Sequence, residues 1–133
     1  MSLKVYNMKY GEQEIVEFDI NKKENYWPNQ HKKNYLIDIE LPEFMAKCPR
    51  SGYPDFAELR LQYVPNKKVI ELKALKIYIN TFMYREISHE NGANEIYDTL
   101  YKNLKPKKMK LVADFKPRGN VHTVITIDSE DNK

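Results

Sequence analysis

The chain has 133 residues, 41% of them hydrophobic, with 22 basic and 19 acidic side chains and a net charge of +3. That length and apolar content suit one compact domain, 1–133, with its own core. The charge is too evenly balanced for a polycationic nucleic-acid coat, although a mild cationic excess favours a phosphate-bearing ligand. The single cysteine, Cys48, excludes an internal disulfide and two-thiol exchange within one subunit, and it points to a reducing compartment. No apolar run approaches the ~20 residues of a membrane span, and Met1–Tyr10 lacks the apolar core of a secretory signal. The expectation is a cytoplasmic protein.

In chain order, residues 1–30 are polar and read as an arm or edge element. Tyr35–Leu41 alternates, with Leu36, Asp38 and Glu40 opposite Tyr35, Ile37, Ile39 and Leu41, which predicts a strand that Pro42 ends. Ala57–Val64 alternates cleanly and reads as a half-buried strand. Pro65–Lys68 reads as a turn, with Val69–Leu72 returning as that strand's partner. From Lys73 the period lengthens. Leu75, Ile79, Phe82 and Met83 mark an amphipathic helix to about Glu86. Ser88 is a candidate N-cap for a second helix carrying Ile96, Leu100 and Leu104 and ended by Pro106. Met109–Phe115 and Val121–Ile127 read as strands joined by a turn at Pro117–Asn120. The charged tail, 128–133, reads as flexible. Helices placed between antiparallel hairpins imply an α+β fold with both helices on one face of the sheet. Its edge strands suit assembly by strand addition between subunits.

The least ordinary stretch is Phe44–Phe56. Cys48 stands between Lys47 and Arg50, within a turn shaped by Pro49, Gly52 and Pro54, and Asp55 follows seven residues later. Cations nearby ease ionisation of a thiol, and the thiolate is the reactive form. A lone cysteine is usually a small buried apolar residue, but Pro/Gly-rich loops run over surfaces and carry sites. Glu71–Lys76 lies where a strand passes into a helix. By composition it reads as a solvated face, yet Lys73 and Lys76 share one helical face and can meet a phosphate together. His89-Glu90 starts a helix, where Glu90 suits the dipole or can accept paired N–H donors from a planar heterocycle. Arg118, on a turn, is a surface residue or a phosphate contact. Lys105–Lys110 reads as a solvated helix end. His31, His89 and His122 lack zinc-site spacing, so no metal site is expected. Neither GxGxxG nor GxxxxGK[ST] occurs.

Together these segments resemble one family, the NADPH-dependent nitrile reductases (QueF) that convert 7-cyano-7-deazaguanine to 7-aminomethyl-7-deazaguanine. The resemblance rests on Cys48-Pro49 followed by Gly52, Pro54, Asp55 and Phe56, on Glu71–Tyr78, on His89-Glu90 and on Phe115–Gly119. It spans Tyr35 to Thr126. It implies the tunnelling fold, with sheets joined into a barrel across subunits, a homo-oligomer of two stacked pentamers, and sites at subunit interfaces. It implies that Cys48 attacks the nitrile carbon to give a covalent thioimidate and that Asp55 protonates the nitrogen. Hydride from NADPH then gives a thiohemiaminal, which collapses to an imine that a second NADPH reduces. It further implies that Glu90, His89, Glu71 and Leu72 bind the deazaguanine, and that Lys73, Lys76 and Arg118 meet the cofactor's phosphates. Asn120 stands where members often have a second glycine, which leaves the backbone of that turn open. Two other classes fit parts of the pattern. A related tunnelling-fold pterin enzyme needs a zinc set that this chain does not clearly supply. A small basic RNA- or phosphate-binding module would tolerate loss of Cys48. The nitrile reductase acts on a small molecule, with no membrane and no direct nucleic-acid partner.

Overall fold

The computed structural model describes residues 17–133, so the first sixteen residues of the expected arm lie outside the described part. Six strands and two α-helices follow in order: β1 (Tyr26–Pro28), β2 (Ile37–Lys47), β3 (Pro54–Val64), β4 (Lys68–Ile70), α1 (Leu72–Asn80), α2 (His89–Leu104), β5 (Lys108–Phe115) and β6 (Val124–Asp128). Four of the strands form one antiparallel sheet in the order β2-β3-β5-β6, while β1 and β4 make a separate two-stranded ribbon.

The period-two pattern of β3 decides which face is covered. Ala57, Leu59, Leu61 and Tyr63 are buried, and Glu58 and Arg60 between them are exposed. Met109, Leu111, Ala113 and Phe115 of β5 join the same buried face. The helices close over it with Ala74, Leu75, Tyr78 and Ile79 from α1 and Ala93, Ile96, Tyr97, Leu100 and Leu104 from α2. The architecture is therefore α+β, with an antiparallel sheet and two helices on one face. Among the described residues no helix is long and apolar enough to cross a membrane.

Four expectations need correction. Pro42 does not end the second strand. β2 runs on to Lys47 across a register shift between Leu41 and Phe44, and an edge strand tolerates a proline at such a bulge because no ladder donor is needed there. β4 does not pair with β3. It pairs with β1, Ile70 opposite Tyr26 and Lys68 opposite Pro28, because β2 and β5 already fill both edges of β3. The Ile70 amide reaches across to β3, donating to the Tyr63 hydroxyl at 3.1 Å. The first helix changes to a 3₁₀ turn over Thr81–Tyr84. There the Thr81 hydroxyl donates to the Tyr78 carbonyl at 2.6 Å, a back-bond that bends helices. The tail is ordered as a 3₁₀ turn, Ser129–Asn132. The Asp128 carboxylate accepts from the Glu130 amide at 3.0 Å and the Ser129 hydroxyl from the Met109 amide at 2.9 Å.

One connection carries the site. After the 3₁₀ turn the chain is extended, and it locks onto the end of β2. The Lys47 amide donates to the Arg85 carbonyl at 2.9 Å, and the Ile87 amide donates to the Lys47 carbonyl at 3.0 Å. That clasp delivers the start of α2 to the residue before Cys48.

Candidate active site

β2 and β3 pair to their ends, Lys47 opposite Pro54, so Cys48–Tyr53 is their connecting loop. The loop is pinned from within. The Cys48 amide donates to the Tyr53 carbonyl at 2.7 Å, and the Gly52 amide donates to the Cys48 carbonyl at 2.8 Å. Gly52 has φ +75° with open space around a would-be Cβ, so backbone conformation rather than room requires glycine there. The Ser51 hydroxyl accepts from the Tyr53 amide at 3.3 Å.

Cys48 is half-buried and free. Its thiol is held below the usual cysteine range, first by the Ser51 hydroxyl and then by the backbone amides of Ser51 and Arg50. Desolvation and the Asp55 charge oppose them. The cations expected to do this, Lys47 and Arg50, are not the cause. The turn itself supplies the donors, an amide nest closed by a hydroxyl.

Asp55 opens β3 on the buried face and is 5% exposed. A buried carboxylate needs partners, and it has two. Arg118 Nη1 donates to Oδ1 at 2.6 Å, and His89 Nε2 lies 3.3 Å from Oδ2. His89 is the first residue of α2, whose N-cap Ser88 accepts from the Asn91 amide at 3.1 Å. The imidazole lies flat on Phe115, with ring centroids 3.8 Å apart and planes within 4°. Arg118 also donates to the Pro54 carbonyl at 3.4 Å, and its guanidinium lies 5.5 Å over the Tyr53 ring. Arg118 and Val121 exchange two backbone hydrogen bonds, at 3.0 and 3.1 Å. Between them Gly119 and Asn120 have φ +56° and +72°, the pattern of a tight primed turn. Asparagine is among the few side chains that adopt this conformation, so Asn120 preserves the turn that a second glycine would make.

Glu90 is exposed beside His89, and its carboxylate has no partner among the described residues. Cys48, Asp55, His89, Glu90 and Arg118 thus gather at one end of the sheet. The other expected residues do not join them within this chain. Glu71 caps α1, one carboxylate oxygen accepting from the Lys73 amide and, at 3.3 Å, from the Ala74 amide. This cap follows Ile70, which sits toward the Ile37–Tyr63 end, and β2 is roughly 30 Å long. Leu72 is 64% exposed. Lys73 and Lys76 are exposed, and neither ammonium has a partner among the described residues. Two unpaired cations on one helical face, beside an exposed leucine, are chemically suited to a phosphate-bearing cofactor. Sequence reasoning missed Ser51, Tyr53 and Phe115. Ser51 sits in the turn with no charge to flag it, and Phe115 reads as an ordinary core position of β5.

Fold and site define a class: a small antiparallel α+β enzyme with one thiol shifted below its ordinary pKa and a buried carboxylate, Asp55, close enough for its charge to act on it. The family model described as QueF-like protein matches residues 54–133. A protein of a Sulfurovum species, named NADPH-dependent 7-cyano-7-deazaguanine reductase, is 76% identical over 123 residues, 92% of this chain and 98% of that one. A Sulfurimonas denitrificans protein of the same name is 63% identical over 92% of this chain and 98% of its own. The chain belongs to the QueF family of NADPH-dependent 7-cyano-7-deazaguanine reductases, a family of oxidoreductases. The apo crystal structure of an archaeosine synthase QueF-Like has the same fold. Its TM-score is 0.67 at 21% identity, over 73% of this chain and 95% of that one.

Proposed function

We propose that the chain is an NADPH-dependent oxidoreductase that reduces the nitrile of 7-cyano-7-deazaguanine to the primary amine 7-aminomethyl-7-deazaguanine, through a thioimidate on Cys48. The observation that carries this reading is the Cys48 thiol in a turn pinned by backbone hydrogen bonds, beside a buried, doubly held Asp55. The Cys48 sulfur attacks the nitrile carbon, a C–S bond forms, and one π pair of the triple bond moves to nitrogen, which takes a proton from Asp55. The proton balance closes if Asp55 receives the proton that Cys48 gives up. Bound NADPH supplies the hydride of each of the two reductions. Between them the chain's part is to release Cys48 as thiolate, an exit that a low thiol pKa favours.

Glu90 accepts the ring N–H donors of the deazaguanine, and His89, fixed by Phe115 and Asp55, positions it. The free oxygen of Glu71 and the exposed Leu72 complete the substrate pocket. Lys73, Lys76 and Arg118 receive the phosphates of the cofactor. Because Glu71 and Leu72 lie toward the Ile37–Tyr63 end of the sheet and Cys48 follows its Lys47–Pro54 end, the site is built across subunits, in a barrel closed by the free edges of β2 and β6. A decamer of two pentamers, each chain a single domain over 1–133, is the proposed assembly. The product's place is queuosine biosynthesis for tRNA, in the cytoplasm.

The test is incubation with 7-cyano-7-deazaguanine without NADPH. A mass increase on Cys48, with thioimide absorbance, is expected. Cys48→Ala should lose adduct and turnover while staying folded. Absence of adduct on the wild type would count decisively against the reading, and retained RNA affinity indifferent to Cys48 would favour a binding module instead.

A further inference from the structure

Arg118 and Asp55 make an awkward pair for the step just described. A guanidinium 2.6 Å from Oδ1 forms a charge-assisted bond with a carboxylate, and a carboxylic acid proton on that oxygen forfeits the bond. The two partners of Asp55 differ in how freely they can leave. His89 begins α2, lies flat on Phe115 and is part of the packed structure. Arg118 rises from an exposed hairpin turn, and its side chain is 42% exposed against 7% for Asp55. Its remaining contacts are a long bond to the Pro54 carbonyl and the face of Tyr53, itself 65% exposed. The guanidinium can therefore swing outward by rotamer changes alone, without opening the core.

We propose that Arg118 is a removable clamp. It holds Asp55 as a carboxylate in the free enzyme, and it lets go when a phosphate-bearing ligand draws the guanidinium outward, so that filling the cofactor site speeds covalent capture at Cys48. This deepens the reductase reading and rests on it. Phosphate matches a guanidinium fork bidentately and carries more charge than the one carboxylate oxygen that Arg118 Nη1 meets here. Once freed, Oδ1 takes the proton that leaves the Cys48 thiol and passes it to the nitrile nitrogen as the C–S bond forms. One S–H is lost, one N–H is gained, and no outside reductant is used in this half of the reaction. Ordered this way, the thiol commits to substrate faster once the cofactor is in place.

The experiment follows adduct formation on Cys48 by mass spectrometry, with 7-cyano-7-deazaguanine and no reductant. Its arms are no addition, NADP⁺ (which carries no hydride to give) and inorganic pyrophosphate at matched ionic strength. For the wild type, NADP⁺ should raise the rate roughly tenfold, a modest share of what a general acid contributes. Arg118→Gln should be fast without NADP⁺ and indifferent to it. Arg118→Lys, which keeps charge but loses the fork, should fall between. A rise with pyrophosphate as well as NADP⁺ supports the clamp, and a rise with NADP⁺ alone also assigns the phosphate to the cofactor. A wild-type rate that ignores both anions overturns the proposal, as does an Arg118→Gln rate that falls while still answering to NADP⁺. Should Arg118→Gln fail to fold, Arg118→Lys decides on the same terms. No adduct on the wild type in any arm would instead sink the reductase reading itself.

Discussion

The lowered pKa of the Cys48 thiol comes from its own turn. The donors that lower the thiol are the Ser51 hydroxyl and two backbone amides, while the Asp55 charge pushes the other way. Only the hydroxyl can be removed by mutation without disturbing the main chain. Ser51→Ala should therefore raise the thiol's ionisation toward the ordinary cysteine range. A lowered pKa means more thiolate at a given pH, so the wild-type rate of alkylation by iodoacetamide should climb at lower pH than that of a free cysteine. In Ser51→Ala that climb should shift to higher pH, and the adduct rate near neutrality should fall with it. An unchanged alkylation profile would return the role to the amides alone. Asp55 completes the residue scale. Asp55→Asn removes the negative charge that raises the thiol's pKa, so alkylation should begin at still lower pH even as adduct formation slows for want of a proton. The opposite movement of the two readouts separates a proton donor from a residue that merely shapes the loop.

At the scale of elements, the site depends on two devices that fix direction, the Ser88 cap that starts α2 at His89 and the Gly119-Asn120 turn that aims Arg118. Asn120 has φ +72°, so Asn120→Ala should cost about 1 kcal/mol from the left-handed backbone alone, while Asn120→Gly should be close to neutral. Denaturant midpoints measure both. If Asn120→Ala proves as stable as the wild type, the turn does not hold its conformation by residue choice. What was legible in the sequence follows the same division. Alternation announced β3 and β5, helical spacing announced α2, and Ser88 announced its cap, because each signal is local. The partner of β4 was not legible, since it depends on β5, which begins only at Lys108, already filling the far edge of β3. Pro42 looked like a terminator because a bulge on an edge strand leaves no mark in period or composition. The Asp55–Arg118 contact spans 63 positions, beyond any spacing rule. The lysine and arginine beside Cys48 were the visible charges, but neither side-chain charge is what lowers the thiol, and Arg50 contributes only its backbone amide.

For the whole molecule, the proposed sharing of the site between copies has a direct consequence. Cys48, Asp55, His89, Glu90 and Arg118 are held by the loop ends of β2, β3 and β5 and by the start of α2. Glu71 and Leu72 start α1 toward the Ile37–Tyr63 end of the sheet, and α1 carries Lys76 back along β2 to a cavity it shares with Pro42, Glu43 and Phe44. The exposed faces of β2 and β6 are edges that can pair with another copy. If each site takes its thiol half from one copy and its α1 half from the next, two different inactive variants can repair each other. Cys48→Ala lacks the nucleophile, and the double variant Lys73→Ala/Lys76→Ala lacks the phosphate cations. Each should be nearly inactive alone. Unfolded together in equal amounts and refolded, copies distribute at random around a closed ring, and up to about a quarter of interfaces should then carry both intact halves. Turnover should recover toward that fraction of wild type, with no recovery when the folded parents are merely mixed and do not exchange. A site contained within one chain cannot gain from co-assembly, so the absence of recovery from a mixed oligomer, verified as mixed by mass, would place both halves of the site in the same subunit.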